Sequence, residues 1–212
     1  MVRKVIYSES DWRDAKTKSF ERSLESKAAL VRSEPIMDLK SKIRWIPEHK
    51  GVVFWDITPL LKDRQAFREC VRGLADHFRD EHVDVVVSNE ARGFIIGAPV
   101  AHELGVGFVP IRKKGKLPHK VASMSYNKEY ETDVIEIHED GIKPGDRVLL
   151  IDDLLATGGT IKANADLVEK LGGKVVGMGF LVELEYLRPR EYLGDKYDIY
   201  SLVSCKTTTE QG

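Results

Sequence analysis

The stretch Val148-Leu149-Leu150-Ile151-Asp152-Asp153-Leu154-Leu155-Ala156-Thr157-Gly158-Gly159-Thr160 decides the fold of this chain. Its first part is a continuous apolar run, which predicts a strand buried on both faces of a sheet. Two adjacent acids end this strand, and a short loop with two glycines then opens a helix. Because ligands bind beyond the carboxyl ends of the strands in an open α/β sheet, the stretch predicts a ligand site here.

The loop after the two acids has the chemistry of an anion site. Glycines allow the backbone to approach a ligand closely, and the N–H groups and positive dipole end of a helix start suit a phosphate. The hydroxyls of Thr157 and Thr160 add two donors. The two acids would repel a phosphate, so we expect them to bind ribose hydroxyls, alone or through Mg²⁺. An ordinary strand–turn–helix with an acidic helix cap is the alternative interpretation.

Strands and helices alternate on both sides of this stretch. Predicted strands cover Val83–Ser88, Gly107–Ile111, Val134–Ile137, Arg147–Ile151 and Val175–Val182. Helices are predicted from about Phe94 to Leu104 and from Ile161 to Leu171, and polar residues 114–125 have the composition of a long loop. The alternation predicts an α/β fold with a mostly parallel central sheet flanked by helices.

The composition excludes several classes of protein. The 212 residues include 33 Lys and Arg against 34 Asp and Glu, and this net charge of −1 argues against a general nucleic-acid binder. No apolar run approaches the roughly 20 residues of a membrane span, and the N-terminus has no apolar signal core. Cys70 and Cys205 lie far apart and match no metal spacing, so we expect free thiols and a cytoplasmic protein.

The chain divides into two parts by composition. Residues 1–35 are charged, mixed in sign and end at Pro35, which predicts a helical or partly disordered extension. Residues 36–212 carry the alternating pattern and form the main domain.

The run from Val148 to Thr160 resembles the phosphoribosyl-pyrophosphate (PRPP) signature of the type I phosphoribosyltransferases. Neither the P-loop pattern nor the dinucleotide fingerprint is present in the sequence. Further stretches, in the order and at about the spacing of the family, narrow the resemblance to the adenine phosphoribosyltransferases: Gly51–Pro59, Asn89–Phe94, Val109–Pro118 and Ser125–Tyr130. The resemblance covers about residues 36–205.

This resemblance implies a fold and an activity. The fold would be the type I phosphoribosyltransferase fold, with a small N-terminal hood and a mobile active-site loop. The reaction would convert adenine and PRPP to AMP and pyrophosphate in purine salvage. Mg²⁺ would be held mainly by PRPP, with Asp152 and Asp153 as further candidate ligands. The family is commonly dimeric, which implies a homodimer.

The resemblance also implies a role for individual residues. Glu129 matches the catalytic glutamate that contacts the N7 side of the purine, and whether it is a base, an acid or an orienting group stays open. The peptide between the positions of Glu90 and Ala91 is often cis in the family. The remaining implied contacts are, for the 5′-phosphate, Ala156, Thr157, Gly158, Gly159 and Thr160; for ribose, Asp152 and Asp153; for pyrophosphate, Arg92, Lys113, Lys116 and Tyr130; and for adenine, Val53, Phe54 and Leu154.

Three departures from the family pattern leave alternatives open. Trp55 stands where arginine is usual, Glu131 stands where glycine is usual, and the N-terminal extension exceeds the common length. A PRPP-dependent transferase for another base is one alternative. A non-catalytic PRPP-sensing regulator is another, although residues 1–35 are too short for a typical winged helix and have no basic excess.

Overall fold

The computed structural model describes residues 38–49, 52–127 and 132–208. The strands in these residues, numbered in chain order, are β1 (Arg44–His49), β2 (Val52–Asp56), β3 (Val85–Asn89), β4 (Gly107–Lys113), β5 (Val121–Asn127), β6 (Thr132–His138), β7 (Arg147–Leu155), β8 (Lys174–Leu184) and β9 (Ile199–Cys205). The α-helices are α1 (Thr58–Lys62), α2 (Arg64–His77), α3 (Arg92–Leu104), α4 (Gly159–Lys170) and α5 (Pro189–Leu193).

Seven of these strands form one sheet in the order β5-β6-β4-β3-β7-β8-β9. The pairs β3–β4, β3–β7, β7–β8 and β8–β9 are parallel, whereas β6 runs antiparallel to both β4 and β5. Helix α3 contacts β3, β4 and β7, and helix α4 contacts β5, β7 and β8. The predicted α/β fold with a mostly parallel, helix-flanked sheet is therefore confirmed.

The central strands form the core because their side chains are apolar on both faces. Val86, Leu149 and Leu150 are fully buried, as expected for strands that are covered on both sides. Helix α2 begins at the cap residue Asp63, whose carboxylate accepts the backbone N–H groups of Gln65 and Ala66. Cys70 and Cys205 are both buried and are not joined in a disulfide, as expected from their separation in the sequence.

Two boundaries differ from the sequence prediction. Residues 114–125 were expected to form one long loop, but β5 begins at Val121 and pairs antiparallel with β6 over Val121–Asn127. The strand that was expected to stop at Ile151 continues through both acids to Leu155. It continues because β7 pairs with β8 as far as Leu155, although its ladder with β3 ends at Ile151.

Strands β1 and β2 form a separate antiparallel pair, which corresponds to the implied hood. Ile46 lies opposite Phe54, and Trp45 lies opposite Trp55. The indole N–H of Trp45 donates to the carbonyl of Thr208 at 2.9 Å, and Trp55 is buried. The Trp45 hydrogen bond connects the hairpin with the chain that follows β9.

Among the described residues, no helix is long and apolar enough to cross a membrane. The predicted extension over residues 1–35 lies outside the described residues.

Candidate active site

A cleft of about 270 Å³ lies at the carboxyl ends of β3 and β7. Two segments line it: Asn89–Arg92, which runs from the last residue of β3 to the first of α3, and Asp152–Ile161, which runs from the end of β7 into α4. From β3 the chain passes through α3 to β4 on one side, and from β7 it passes through α4 to β8 on the other. The two strands are therefore a topological switch point, the place where ligands bind in open α/β sheets.

Two helices begin at this cleft. Helix α3 starts at Arg92 after Ala91, and helix α4 starts at Gly159 after Gly158. Neither of these two helix starts is capped by a side chain of the described residues. Their backbone N–H groups and positive dipole ends are therefore suited to anionic groups of a ligand.

The loop between β7 and α4 requires glycine at position 158. Gly158 has a φ of 92°, in the left-handed region that favours glycine. A Cβ atom added there would lie 3.1 Å from Cδ1 of Tyr192 and 3.3 Å from Cγ of Leu193, both in α5. The loop is thus held closely against α5, and the predicted phosphate residues Ala156–Thr160 all line the cleft.

The adjacent acids occupy the floor of the cleft. The backbone N–H of Asp153 donates to Oδ1 of Asp152 at 2.9 Å. A Cβ atom added at Gly93 would lie only 2.6 Å from that same Oδ1, so the absence of a side chain there lets α3 approach the carboxylate. Both carboxylates line the cleft, and they lie within β7, near the strand end at which the sequence predicts them.

Burial shifts the pKa values of both acids. Burial raises the pKa of Asp152 well above its usual range, and the neighbouring carboxylate of Asp153 raises it further. Burial also raises the pKa of Asp153, while the Arg92 guanidinium opposes this shift. The cleft therefore holds two partly desolvated carboxyl groups that gain from any hydroxyl or cation supplied by a ligand.

Arg92 connects three predicted subsites. Its Nε lies 2.8 Å from Oδ2 of Asp153 as an ion pair, without the alignment of a hydrogen bond. Its Cζ lies 5.1 Å from the ring centroid of Phe54 in β2, within the range of a cation–π contact. One residue predicted for pyrophosphate thus contacts one predicted for ribose and one predicted for adenine.

The peptide between Glu90 and Ala91 is cis, as the resemblance implied. The carboxylate of Glu90 accepts hydrogen bonds from Nε of Arg112 at 3.1 Å and from the backbone N–H of Lys113 at 3.3 Å. The Arg112 hydrogen bond is the main cause that lowers the pKa of Glu90 below its usual value. This network ties the end of β4 to the cis turn at the cleft.

The basic segment after β4 is fixed at its start. The backbone N–H of Gly115 donates to Oε2 of the buried Glu136 at 2.8 Å, and the N–H of Lys116 donates to the carbonyl of Lys113 at 3.2 Å. Lys113 and Lys116 therefore lie in a tight turn anchored to Glu90 and Glu136. This turn differs from the long loop expected from its composition.

The structure places nine of the fifteen predicted site residues in the lining of the cleft: Arg92, Asp152, Asp153, Leu154, Ala156, Thr157, Gly158, Gly159 and Thr160. Phe54 contacts Arg92 without lining the cleft, and Lys113 and Lys116 lie in the turn after β4, outside the lining. Glu129 and Tyr130 follow β5 in the chain and lie outside the described residues. Val53 is half-buried in β2, next to Phe54, but does not line the cleft. Leu154 lines the cleft as expected. Thr160 donates to the hydroxyl of Tyr126 at 3.4 Å, so β5 approaches the start of α4.

Sequence reasoning missed the part that α5 contributes. No motif marked Tyr192 or Leu193, yet both pack against the loop between β7 and α4 at Gly158. The signal that could have drawn attention to them is the buried Glu183, an acid at the end of an otherwise apolar strand, with Arg190 seven residues later.

The fold and the cleft together define a phosphoribosyltransferase domain, and the family model described as "Phosphoribosyl transferase domain" matches residues 57–212. An adenine phosphoribosyltransferase of Halothermothrix orenii is 53% identical over 169 residues, covering 79% of this chain and 99% of that protein. One from Thermotoga neapolitana is 54% identical over 169 residues, covering 79% of this chain and 99% of that protein. The chain therefore belongs to the adenine phosphoribosyltransferase family.

Solved structures agree with this assignment. The adenine phosphoribosyltransferase of Thermoanaerobacter pseudethanolicus superposes with a TM-score of 0.77 at 50% identity. The superposition covers 81% of this chain and 100% of that chain. The enzyme of Giardia lamblia complexed with 9-deazaadenine superposes with a TM-score of 0.78 at 36% identity, covering 82% of this chain and 100% of that chain.

Proposed function

We propose that this protein converts adenine and PRPP to AMP and pyrophosphate in purine salvage. The observation that carries the proposal is the cleft at the β3–β7 switch point, where two helix starts without a side-chain cap from the described residues adjoin the neighbouring carboxyl groups of Asp152 and Asp153. The helix starts suit the two anionic ends of PRPP, and the carboxyl groups suit the ribose hydroxyls between them. Relatives named adenine phosphoribosyltransferase support adenine as the base.

The 5′-phosphate binds the loop Ala156–Thr160 and the start of α4. Backbone N–H groups supply most of the donors, and the hydroxyls of Thr157 and Thr160 supply the rest. Asp152 and Asp153 accept hydrogen bonds from the ribose hydroxyls. Such bonds replace the water that burial removes from these carboxylates, and this exchange supports the assignment.

The pyrophosphate binds at Arg92, next to the start of α3, with Lys113, Lys116 and Tyr130 completing the subsite. Arg92 lies at the cleft already, 2.8 Å from Oδ2 of Asp153. The anchored turn that carries both lysines is joined to the cleft by Glu90. A guanidinium and two ammonium groups stabilise the negative charge that develops on the leaving group.

Adenine binds between Phe54 and Leu154, where Val53 contributes backbone groups that read the edge of the base. Phe54 already contacts Arg92, and Leu154 lines the cleft, so the two sides of this subsite adjoin the ribose and pyrophosphate subsites. Glu129 acts on the purine as the catalytic residue. The Giardia relative was solved with 9-deazaadenine, a molecule of the same shape as the base.

The reaction exchanges one bond at the anomeric carbon for another. N9 of adenine forms the new bond to C1 of the ribose, the bond from C1 to the pyrophosphate oxygen breaks with its electron pair, and adenine loses the N9 proton. The residues of this chain accelerate the step by aligning the reactants and by stabilising charge on the leaving group. Glu129 lies in the segment after β5 and contacts the base, where it holds or accepts a proton.

Mg²⁺ is the cofactor we propose. Carboxylate oxygens are the ligands this ion prefers, and Asp152 and Asp153 offer them in the cleft. No group of three or more metal-ligating side chains occurs in residues 38–49, 52–127 and 132–208, so PRPP itself would supply most of the ligands. When bound, the ion neutralises charge on the pyrophosphate.

A turnover panel tests the proposed function. Purified protein is assayed with PRPP and Mg²⁺ against adenine, hypoxanthine, guanine, xanthine and orotate, and we expect rapid turnover of adenine alone. As a control, Glu129→Ala should lower kcat about 100-fold, the lower range for a lost acid–base group, with PRPP binding unchanged by calorimetry. Faster turnover of guanine would overturn the base assignment. Binding of PRPP without turnover of any base would favour a regulator.

The cellular setting and assembly follow from the same proposal. We propose a cytoplasmic homodimer that binds two small substrates and neither nucleic acid nor membrane. We also propose that residues 36–212 form the catalytic domain and residues 1–35 an extension. The family model supports a catalytic domain that follows the extension, because its match covers residues 57–212.

A further inference from the structure

An ion pair outside the cleft joins helix α5 to the sheet. Glu183, at the end of β8, has a side chain that is only 2% exposed. Arg190 binds it with two hydrogen bonds of 2.8 Å, from Nε to Oε1 and from Nη2 to Oε2. A third bond of 3.0 Å runs from Nη1 to the carbonyl of Ile199 in β9. Arg190 thus connects α5 to the C-terminal end of β8 and to the first residue of β9.

This ion pair lies next to the proposed 5′-phosphate loop, Ala156–Thr160. Glu183 is the partner of Leu155 in the β7–β8 ladder, and Leu155 immediately precedes the loop. From the other direction, α5 packs directly on Gly158, where an added Cβ would lie 3.1 Å from Tyr192 and 3.5 Å from the carbonyl of Pro189. Helix α5 therefore packs against the outer side of the loop, and Arg190 bonds this helix to the sheet.

We propose that Arg190 is a positioning residue for the 5′-phosphate loop, which holds α5 against Gly158 and so keeps the loop in the conformation that receives the phosphate. The inference rests on the proposed function, because it concerns the same subsite. Arg190 itself does not line the cleft. A five-residue helix has too little internal hydrogen bonding to be stable alone, so its place depends on the side chains that fasten it.

The proposal predicts a selective defect. In Arg190→Gln, α5 loses its bidentate fork, and the loop samples conformations that do not bind a phosphate. The KM for PRPP should rise about tenfold, which corresponds to about 1.4 kcal/mol, with kcat and the KM for adenine changed less than about twofold. Calorimetry should show AMP, which carries a 5′-phosphate, binding about tenfold more weakly, and pyrophosphate binding as before.

Three further variants complete the test. Arg188→Gln, in the same segment, breaks only an exposed ion pair of 3.7 Å with Glu191 and should behave like the wild type. Arg190→Lys keeps the charge without the fork and should show an intermediate KM for PRPP. If Arg190→Gln does not fold because Glu183 is left buried and unpaired, the neutral pair Glu183→Gln with Arg190→Gln is measured instead, with the same expectation.

Each outcome decides the matter. If Arg190→Gln weakened the binding of AMP and of pyrophosphate equally, Arg190 would have only a general structural role, and the proposal would be overturned. Wild-type values in Arg190→Gln, or in the neutral double variant, would overturn it as well. Failure of the wild type itself to bind PRPP or turn over adenine would instead contradict the proposed function, and is seen before any variant is made.

Discussion

Asp152 carries a cost in stability that comes with its place in the cleft. Because burial and Asp153 raise its pKa, the folded protein binds its proton more tightly than the unfolded chain does. Between the ordinary pKa of an aspartate and the raised one, stability therefore falls as pH rises. Above the raised pKa the full penalty of holding a buried negative charge remains.

Removal of this charge should stabilise the protein and impair it. In Asp152→Asn, Oδ1 can still accept the N–H of Asp153, but the charge is gone. We expect a higher Tm, by about 2–4 °C for each kcal/mol gained, with the gain larger at pH 8 than at pH 5. Turnover should fall at least about tenfold, since a ribose contact is weakened.

Scanning calorimetry at several pH values checks the prediction, with the exposed Asp140→Asn as a control that should change neither Tm nor turnover. A gain in Tm that is the same at pH 5 and pH 8 would contradict the assigned cause.

At the scale of the element, the loop between β7 and α4 is limited by two constraints at Gly158. One is its φ of 92°, and the other is the close contact with α5. Gly145 shares the first constraint, since its φ is also 92°, but a Cβ there would meet nothing within 4 Å. The pair of glycines therefore separates backbone strain from crowding.

We expect Gly145→Ala to lower the stability by about 1–2 kcal/mol, the cost of a side chain in the left-handed region, without changing the KM for PRPP. Gly158→Ala should lose at least as much stability and also raise the KM for PRPP severalfold, because the loop must move away from α5. Chemical denaturation and initial-rate kinetics measure both. Equal KM values in the two variants would show that contact with α5 does not shape the subsite.

The elements also show what a sequence pattern can and cannot predict. The strand, the glycine loop and the helix from Val148 onward are adjacent in the chain, so apolar runs and glycine positions were sufficient to predict them. The exact end of β7 was not predictable, because it depends on pairing with β8, a strand that begins at Lys174. The local sequence pattern of a strand does not indicate which other strand it pairs with, or how far along that strand the pairing continues.

Contacts between distant residues set the other limit. The pairs Arg92–Asp153, Arg112–Glu90 and Arg190–Glu183 each depend on the relative placement of two elements. Family resemblance identified Arg92 and Asp153 as site residues, yet it did not indicate that they contact one another. The composition of the segment after β4 predicted a long loop. The segment begins instead with a turn that is held by a hydrogen bond to Glu136, which is distant in the sequence.

For the whole molecule, we expect residues 1–35 to be dispensable for catalysis. The family model matches residues 57–212, outside this segment, and every described residue that lines the cleft follows position 88. A chain that begins at Ile36 should keep its kcat/KM for PRPP within about twofold of the full chain, a difference of under ~0.5 kcal/mol. Steady-state kinetics on both proteins, with circular dichroism as the control for folding, decide this. A larger loss would assign the extension a part in the active site.

The asymmetric ending of β7 has a consequence for how this site tolerates sequence change. From Asp152 to Leu155 the strand is paired with β8 but no longer with β3, so one edge of its main chain borders the cleft. The peptide groups along that edge stay the same when the side chains of these residues are substituted. Mutations can reshape the walls of the site, but they leave these main-chain groups in place. Ligand contacts made by these main-chain groups should therefore persist when the neighbouring side chains are substituted.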